Sequence, residues 1–124
     1  MTRTRLELLQ WYALFGGALA WTAEHVIGYF VSVASCSTSV AYWHVSLVLW
    51  ESLLTAVTLA GVLAAESAAL VVYRATAAVD DDAPGPAGRM HFFAQAALLG
   101  NVLFFMLVVL DCASVLYHSN CRLA

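Results

Sequence analysis

Trp21-Thr-Ala-Glu-His-Val-Ile-Gly-Tyr29 places two ionisable side chains, Glu24 and His25, near the middle of an apolar run from about Leu8 to Ala34. A run of this length can cross a bilayer, because about 20 helical residues span the hydrocarbon core. A charge at the bilayer centre costs at least about 2.5–3.5 kcal/mol, so such side chains usually face protein, a partner or water. Other helices must therefore provide partners for Glu24 and His25.

The composition is that of an integral membrane protein. Of the 124 residues, 63% are hydrophobic and 10% are charged, and the mean hydropathy is +0.84. Soluble domains carry about 25% charged residues. The net charge of −3 leaves no basic patch for nucleic acid, which excludes that class of partner. We predict a single all-α domain over residues 1–124, embedded in a lipid bilayer.

Hydropathy and turn signals divide the chain into three predicted transmembrane helices. These cover about residues 6–35, 42–74 and 89–117, with a loop at 75–88 that is acidic and rich in Pro and Gly. The second segment is longer than a span requires, so we expect tilt or a projecting end. The apolar run of the first segment is too long for a secretory signal, so we expect this helix to be retained.

The arginines predict the orientation in the membrane. With three spans, the N-terminus and the loop at 75–88 share one side, and Arg122 is the single arginine on the other side. The arginines of the first side are Arg3, Arg5, Arg74 and Arg89. Because cytoplasmic segments carry an excess of positive charge, we predict a cytoplasmic N-terminus and an external C-terminus.

Small residues predict close packing between the helices. In the second helix, alanines repeat at i+4 and a Gly-Ala pair follows the same spacing; they are Ala60, Ala64, Ala68, Gly61 and Ala65. The first helix carries small residues at Gly16, Gly17, Ala20 and Gly28. Small residues four apart let helix backbones approach closely in lipid. The inner half of the second helix, which carries these alanines, is therefore predicted to be a contact surface.

Polar residues within the predicted helices sort into two levels of depth. Counted from the external ends at about 1.5 Å per residue, four ionisable residues share an outer layer: Glu24, His25, Glu51 and Asp111. Glu66 and Asn101 lie deeper, at a separate inner level.

Two interpretations of the outer layer remain open. A carboxylate beside a histidine suits proton transfer or ion binding, because each group changes the charge state of the other. Alternatively, these groups hydrogen-bond to one another or to a partner subunit and only hold helices together. In either case we expect Glu24 or His25 within hydrogen-bonding reach of Glu51, directly or through one water.

Cysteines and histidines collect on the predicted external face. Cys36 ends the first helix and Cys121 follows the third, so both reach the oxidising side, where disulfides persist. We predict a bridge between them, which makes the first and third helices neighbours; a metal site or free thiols are the alternatives. His44 and His118 complete a donor set suited to copper or zinc, although no CxxC or HxxxH spacing supports such a site.

The third cysteine, Cys112, lies inside the third helix and is interpreted as a small buried apolar residue.

The remaining cofactor predictions are negative. His25 and His44 differ in depth by about 13 Å at helical rise, so they cannot ligate one haem iron within this chain. We predict no cofactor of the chain alone, and haem or copper only together with a partner.

Several residues form a pattern that the chain shares with a known group of proteins. The pattern consists of Ala20-Trp21, His25, Tyr29, Cys36, Gly88-Arg89, Phe93-Ala94 and Cys121. In this pattern the chain resembles small uncharacterised three-span bacterial membrane proteins associated with gene clusters for haem-copper cytochrome oxidases. The resemblance implies an accessory or biogenesis component. It covers the first and third helices and does not include Glu24 or Glu51.

The leading functional interpretation is a non-enzymatic accessory or assembly subunit of a bacterial respiratory membrane complex, of cytochrome oxidase type. Its partners are then other integral membrane subunits. A second interpretation is a small homo-oligomeric proton-coupled transporter or channel that uses Glu24, His25 and Glu51. A third is a haem-binding or quinone-binding membrane anchor.

Overall fold

The computed structural model of the chain consists of three long helices. α1 spans Arg3–Cys36, α2 spans Leu47–Thr76 and α3 spans Pro86–Tyr117. Each helix contacts the other two, so α1 and α3 are neighbours in a three-helix bundle. The part of the chain that the structure describes contains no strand, which confirms the all-α prediction.

The structure describes residues 2–36, 46–80 and 82–117, without the side chains of 115–117. Within these ranges, α2 begins later than the sequence predicted. Ser46 has an extended backbone, and its hydroxyl accepts a hydrogen bond from the N–H of Leu49, so this serine caps the helix.

The start of α3 also differs from the prediction. Pro86 is its first residue, ahead of the expected start at Arg89. Proline is well tolerated in the first helical turn, because its missing N–H has no partner there in any case. The turn before it closes with Gly85 at φ 108°, a left-handed conformation that glycine adopts without strain. A side chain at Gly88 would overlap the carbonyl oxygen of Ala83, so the connection between α2 and α3 is tight.

Buried positions follow steps of three and four residues along each helix. In α2 they are Thr55, Thr58, Val62, Ala65, Ala68, Ala69, Val72 and Thr76. In α1 they are Gln10, Ala13, Gly17, Glu24 and Val31. In α3 they include Met90, Ala94, Ala97, Asn101 and Val108. This spacing is typical of helices packed side by side in a bundle.

Small residues bring α1 and α2 into close contact. A Cβ atom at Gly16 would lie 3.2 Å from the Cβ of Ala65, and one at Gly61 would lie 3.2 Å from the Cβ of Ala20. The Tyr12 hydroxyl donates a hydrogen bond to the Gly61 carbonyl oxygen at 3.3 Å. The predicted Gly61 and Ala65 pair is therefore confirmed as a helix contact.

The second predicted stripe of small residues divides between interior and surface. Ala68 is buried, whereas Ala60 and Ala64 are exposed. Ala68 packs with Ala13, Ala69 and Ala97, and these four residues are called the alanine core below.

The outer surface of the bundle is apolar along its length. Leu19 is 67% exposed, Val57 71% and Leu99 73%. Soluble monomers rarely expose contiguous apolar patches larger than a few hundred Å². Among the described helices, α2 and α3 are long and apolar enough to cross a bilayer, which suggests membrane association by length and composition.

Candidate functional site

A cavity of about 210 Å³ lies between the C-terminal half of α1, the first turns of α2 and the end of α3. It is called the outer pocket below, because the sequence predicts this end of the bundle to be external. The structure places all four ionisable residues of the predicted outer layer around it: Glu24, His25, Glu51 and Asp111. Gly28, Tyr29, Leu54, Thr55 and Ser114 complete its lining.

Glu24 is the most deeply placed of these ionisable groups. It lies one heptad after Gly17 on the buried face of α1, and 9% of the residue is exposed. Its Oε1 accepts a hydrogen bond of 2.7 Å from the Thr55 hydroxyl. Its Oε2 is buried and has no hydrogen-bond partner among the described residues. Oε1 thus accepts a hydrogen bond from α2, while Oε2 can still accept one.

His25 is oriented by the preceding turn of its own helix. Its Nδ1 lies 3.1 Å from the Trp21 carbonyl oxygen. Because a carbonyl only accepts, this contact favours the tautomer with the proton on Nδ1 and a lone pair on Nε2. The Trp21 ring packs against the imidazole, with ring centroids 4.3 Å apart.

Asp111 brings α3 into the site. Its Oδ2 accepts a hydrogen bond of 3.1 Å from the Trp21 indole N–H, and the same oxygen lies 3.7 Å from His25 Nε2. Trp21 therefore positions both of its neighbours, the histidine through its carbonyl and the aspartate through its ring nitrogen. Sequence reasoning named Trp21 only as part of a motif and did not identify this role.

Glu51 bonds directly to Ser32, and the contact to Glu24 or His25 through one water stays a prediction. Its Oε1 accepts a hydrogen bond of 3.4 Å from the Ser32 hydroxyl. Within the described ranges, no direct hydrogen bond joins Glu51 to Glu24 or His25, although all three line the same cavity. Thr55, one turn further along α2, lies on the buried face of this helix and bonds to Glu24 instead.

The predicted inner level also comes together. Glu66 and Asn101 line a second cavity of about 170 Å³, and their side chains are hydrogen-bonded. The Asn101 amide donates to the Ala13 carbonyl oxygen at 3.0 Å. A Cβ atom at Gly17 would lie 2.5 Å from Asn101 Oδ1, so glycine is required there for α3 to approach α1 this closely.

A third polar contact, absent from the sequence predictions, lies at the opposite end of the bundle. His91 is buried; its Nδ1 lies 2.9 Å from the Thr76 hydroxyl oxygen, and its ring stacks on Tyr73. The signal that could have revealed this contact is the tight connection, which brings the last turn of α2 against the first turn of α3. His91 and His25 therefore lie at opposite ends of the bundle.

The cysteine predictions have separate outcomes. Cys112 is free and exposed, so its predicted burial is wrong. The inward face of α3 continues from Val108 by a step of three residues to Asp111, which leaves the next residue, Cys112, on the outside.

Cys36 is not free. Its proposed partner Cys121 and the histidines of the external metal site, His44 and His118, lie outside the described residues. The disulfide and that metal site therefore stay predictions.

Known proteins offer no further guide to the site. No family model matches the chain, and neither a curated protein nor a solved structure matches it. The resemblance to oxidase-associated membrane proteins therefore stays a prediction from short motifs.

Proposed function

We propose that the chain is a non-catalytic accessory or assembly subunit of a larger membrane complex. The observation that carries this proposal is a line of small residues that stays exposed on α2, called the α2 ridge. It consists of Ser52, Ala56, Ala60 and Ala64, each one helical turn from the next. The same type of surface packs α2 onto α1 at Gly61 and Ala65. The α2 ridge offers a further helix the same close approach.

In this proposal α1 is a third membrane span. It contacts both α2 and α3, and its outward side chains are large and apolar along its length. Leu8 is 66% exposed, Leu19 67% and Phe30 66%. A helix on the surface of a soluble bundle would instead present polar side chains outward. The positions of the arginines then support a cytoplasmic N-terminus and an external C-terminus.

The proposed partner is a bacterial respiratory complex of cytochrome oxidase type, in the inner membrane. The apolar surface and the α2 ridge support association with integral membrane subunits. The motif resemblance described above supports the oxidase type. No described residue arrangement favours the haem-binding or quinone-binding anchor, since the two described histidines lie at opposite ends of the bundle.

The test is affinity purification from mild detergent, comparing the unaltered protein with a variant of the ridge. Ala60→Leu together with Ala64→Leu adds bulk to the α2 ridge without entering the bundle, because both alanines are exposed. Leu103→Phe adds bulk at an exposed position of α3 and serves as the matched control. We expect a haem-containing complex to accompany the unaltered protein and the control, and to be lost with the ridge variant. A stable, colourless homo-oligomer as the sole product would contradict the proposal.

A second candidate function is a small homo-oligomeric proton-coupled transporter or channel. The observation in its favour is the outer pocket, which gathers three carboxylates and one histidine between the helices. Purified protein in liposomes would then show proton-dependent substrate flux that Glu24→Gln abolishes. The absence of flux across a broad panel of substrates would remove this candidate.

A further inference from the structure

We propose that the outer pocket binds one divalent transition-metal ion of the Zn²⁺ type through Glu24, His25 and Asp111. One candidate ligand atom from each residue lies within 4.8 Å of the other two. In tetrahedral Zn²⁺ sites, bonds of about 2.0–2.2 Å place the ligand atoms about 3.4 Å apart. The His25 Nε2 to Asp111 Oδ2 distance is already 3.7 Å. Small side-chain rotations therefore complete the geometry.

Each proposed ligand is oriented by a neighbour that is not itself a ligand. Thr55 holds Glu24 Oε1, the Trp21 carbonyl holds His25 Nδ1, and the Trp21 indole N–H holds the Asp111 carboxylate. Metal-binding histidines almost always donate their second ring N–H to such a group, and ligating carboxylates are likewise hydrogen-bonded. This arrangement leaves His25 Nε2 and Glu24 Oε2 available for a metal ion, together with the lone pairs of the Asp111 carboxylate that the indole N–H does not use.

The unpartnered Glu24 oxygen points independently to a bound cation. Glu24 is 9% exposed and lines the pocket, and its Oε2 has no hydrogen-bond partner among the described residues. A buried acceptor without a hydrogen-bond partner loses its hydration and gains nothing in return, which is unfavourable. A metal ion coordinated by Oε2 removes this cost.

Charge balance supports the same conclusion. The arginines within the described ranges all lie at the other end of the bundle, so no arginine or lysine there offsets the carboxylates of Glu24 and Asp111. A divalent cation bound by Glu24, Asp111 and a neutral imidazole balances the charge of these two carboxylates, which suits an apolar membrane environment. Imidazole and carboxylate donors without thiolate favour Zn²⁺ over Cu⁺, and the imidazole disfavours Mg²⁺ and Ca²⁺.

Glu51 also lines the pocket, and its Oε1 accepts a hydrogen bond of 3.4 Å from the Ser32 hydroxyl. A fourth coordination position of the metal would be available to water or to this carboxylate. The site does not include the α2 ridge, so a failure of zinc binding and a failure of partner binding are distinguishable.

The first test measures Zn²⁺ affinity of the full chain in detergent, by competition with a chromophoric zinc chelator. We expect one ion per chain. Glu24→Gln, His25→Asn and Asp111→Asn should each weaken binding by at least about tenfold, and Trp21→Phe should weaken it by about tenfold through loss of the indole donor. Glu66→Gln, a carboxylate of the inner level, and Cys112→Ser, the exposed free thiol, are the matched controls and should bind as the unaltered protein does.

The second test is Zn X-ray absorption of the unaltered protein, which does not depend on how any variant folds. The expected coordination shell contains nitrogen and oxygen at about 2.0–2.2 Å, including one imidazole, without sulfur. Sulfur at about 2.3 Å would overturn the proposal and indicate the metal site predicted on the external face, which includes Cys36 and Cys121. Absence of saturable binding would also overturn it.

Discussion

The two halves of the bundle have the same spacing of buried residues but bury different kinds of side chain. In the half near the connection of α2 and α3, the buried positions belong to the alanine core, with Ala69 at 0% exposure and Ala13 at 1%. In the other half, the equivalent positions on α1 and α2 are Glu24 and Thr55, beside a cavity of about 210 Å³. Small side chains let helices close on one another, whereas long polar ones hold them apart. Closely packed alanines therefore characterise the first half, and the outer pocket with its ionisable lining characterises the second.

The strongest test of this contrast is a larger side chain in the alanine core. Ala69→Leu adds three carbon atoms at a position that is 0% exposed. Overpacking of this kind typically costs about 1–3 kcal/mol. We expect a loss of unfolding free energy at the upper end of that range, measured by denaturant titration in detergent. Ala60→Leu, at an exposed position of the same helix, is the control and should change stability little. Equal effects of the two substitutions would show that the core is not closely packed.

A smaller effect is expected from removing the polar support of the outer pocket. Thr55→Val keeps the shape of the side chain but deletes the hydroxyl that donates to Glu24, which leaves both carboxylate oxygens without a donor. An unsatisfied buried acceptor costs about 1–3 kcal/mol. Thermal unfolding in detergent should show this loss for Thr55→Val, and the double variant with Glu24→Leu should recover part of it. No recovery would mean that the hydroxyl stabilises the bundle in another way.

The smallest effect concerns Glu51, which lies at the edge of the pocket. Glu51→Ala removes the acceptor for Ser32, whereas Glu51→Gln retains one in the side-chain amide. A typical hydrogen bond contributes about 0.5–1.5 kcal/mol, so the alanine variant should be less stable than the glutamine variant by an amount in that range. Detergent melts of the two proteins compare them directly. Equal melting temperatures would indicate that Ser32 does not stabilise the bundle through Glu51.

Helical rise explains which parts of the site the sequence could predict. Because each residue advances about 1.5 Å along a helix, counting from the helix ends placed Glu66 beside Asn101, and Glu24, His25, Glu51 and Asp111 around one cavity. Counting does not fix the rotation of one helix against another. That rotation decides that Thr55, rather than Glu51, bonds to Glu24.

Two further differences between the predicted and the observed structure, at Cys112 and His91, also depend on features that hydropathy does not specify. The exposure of Cys112 depends on how the buried face of α3 continues beyond Val108, where steps of three and of four residues are both compatible with the sequence. The burial of His91 depends on the start of α3 at Pro86, since a later start would leave this residue in the first helical turn. Helix rotation is a tertiary property and helix ends depend on local caps such as Ser46, and hydropathy encodes neither.

The tight connection between α2 and α3 has a consequence for biogenesis. The two helices with the highest hydropathy follow one another across a turn that ends at Gly85, with Gly88 against the Ala83 carbonyl. A pair joined in this way can enter the bilayer together as a preformed hairpin, with the backbone of the turn left at the aqueous surface. If α1 is the third span proposed above, it packs against both members of this hairpin. The Glu24 carboxylate then receives its hydrogen bond from Thr55 only when α1 has docked against α2.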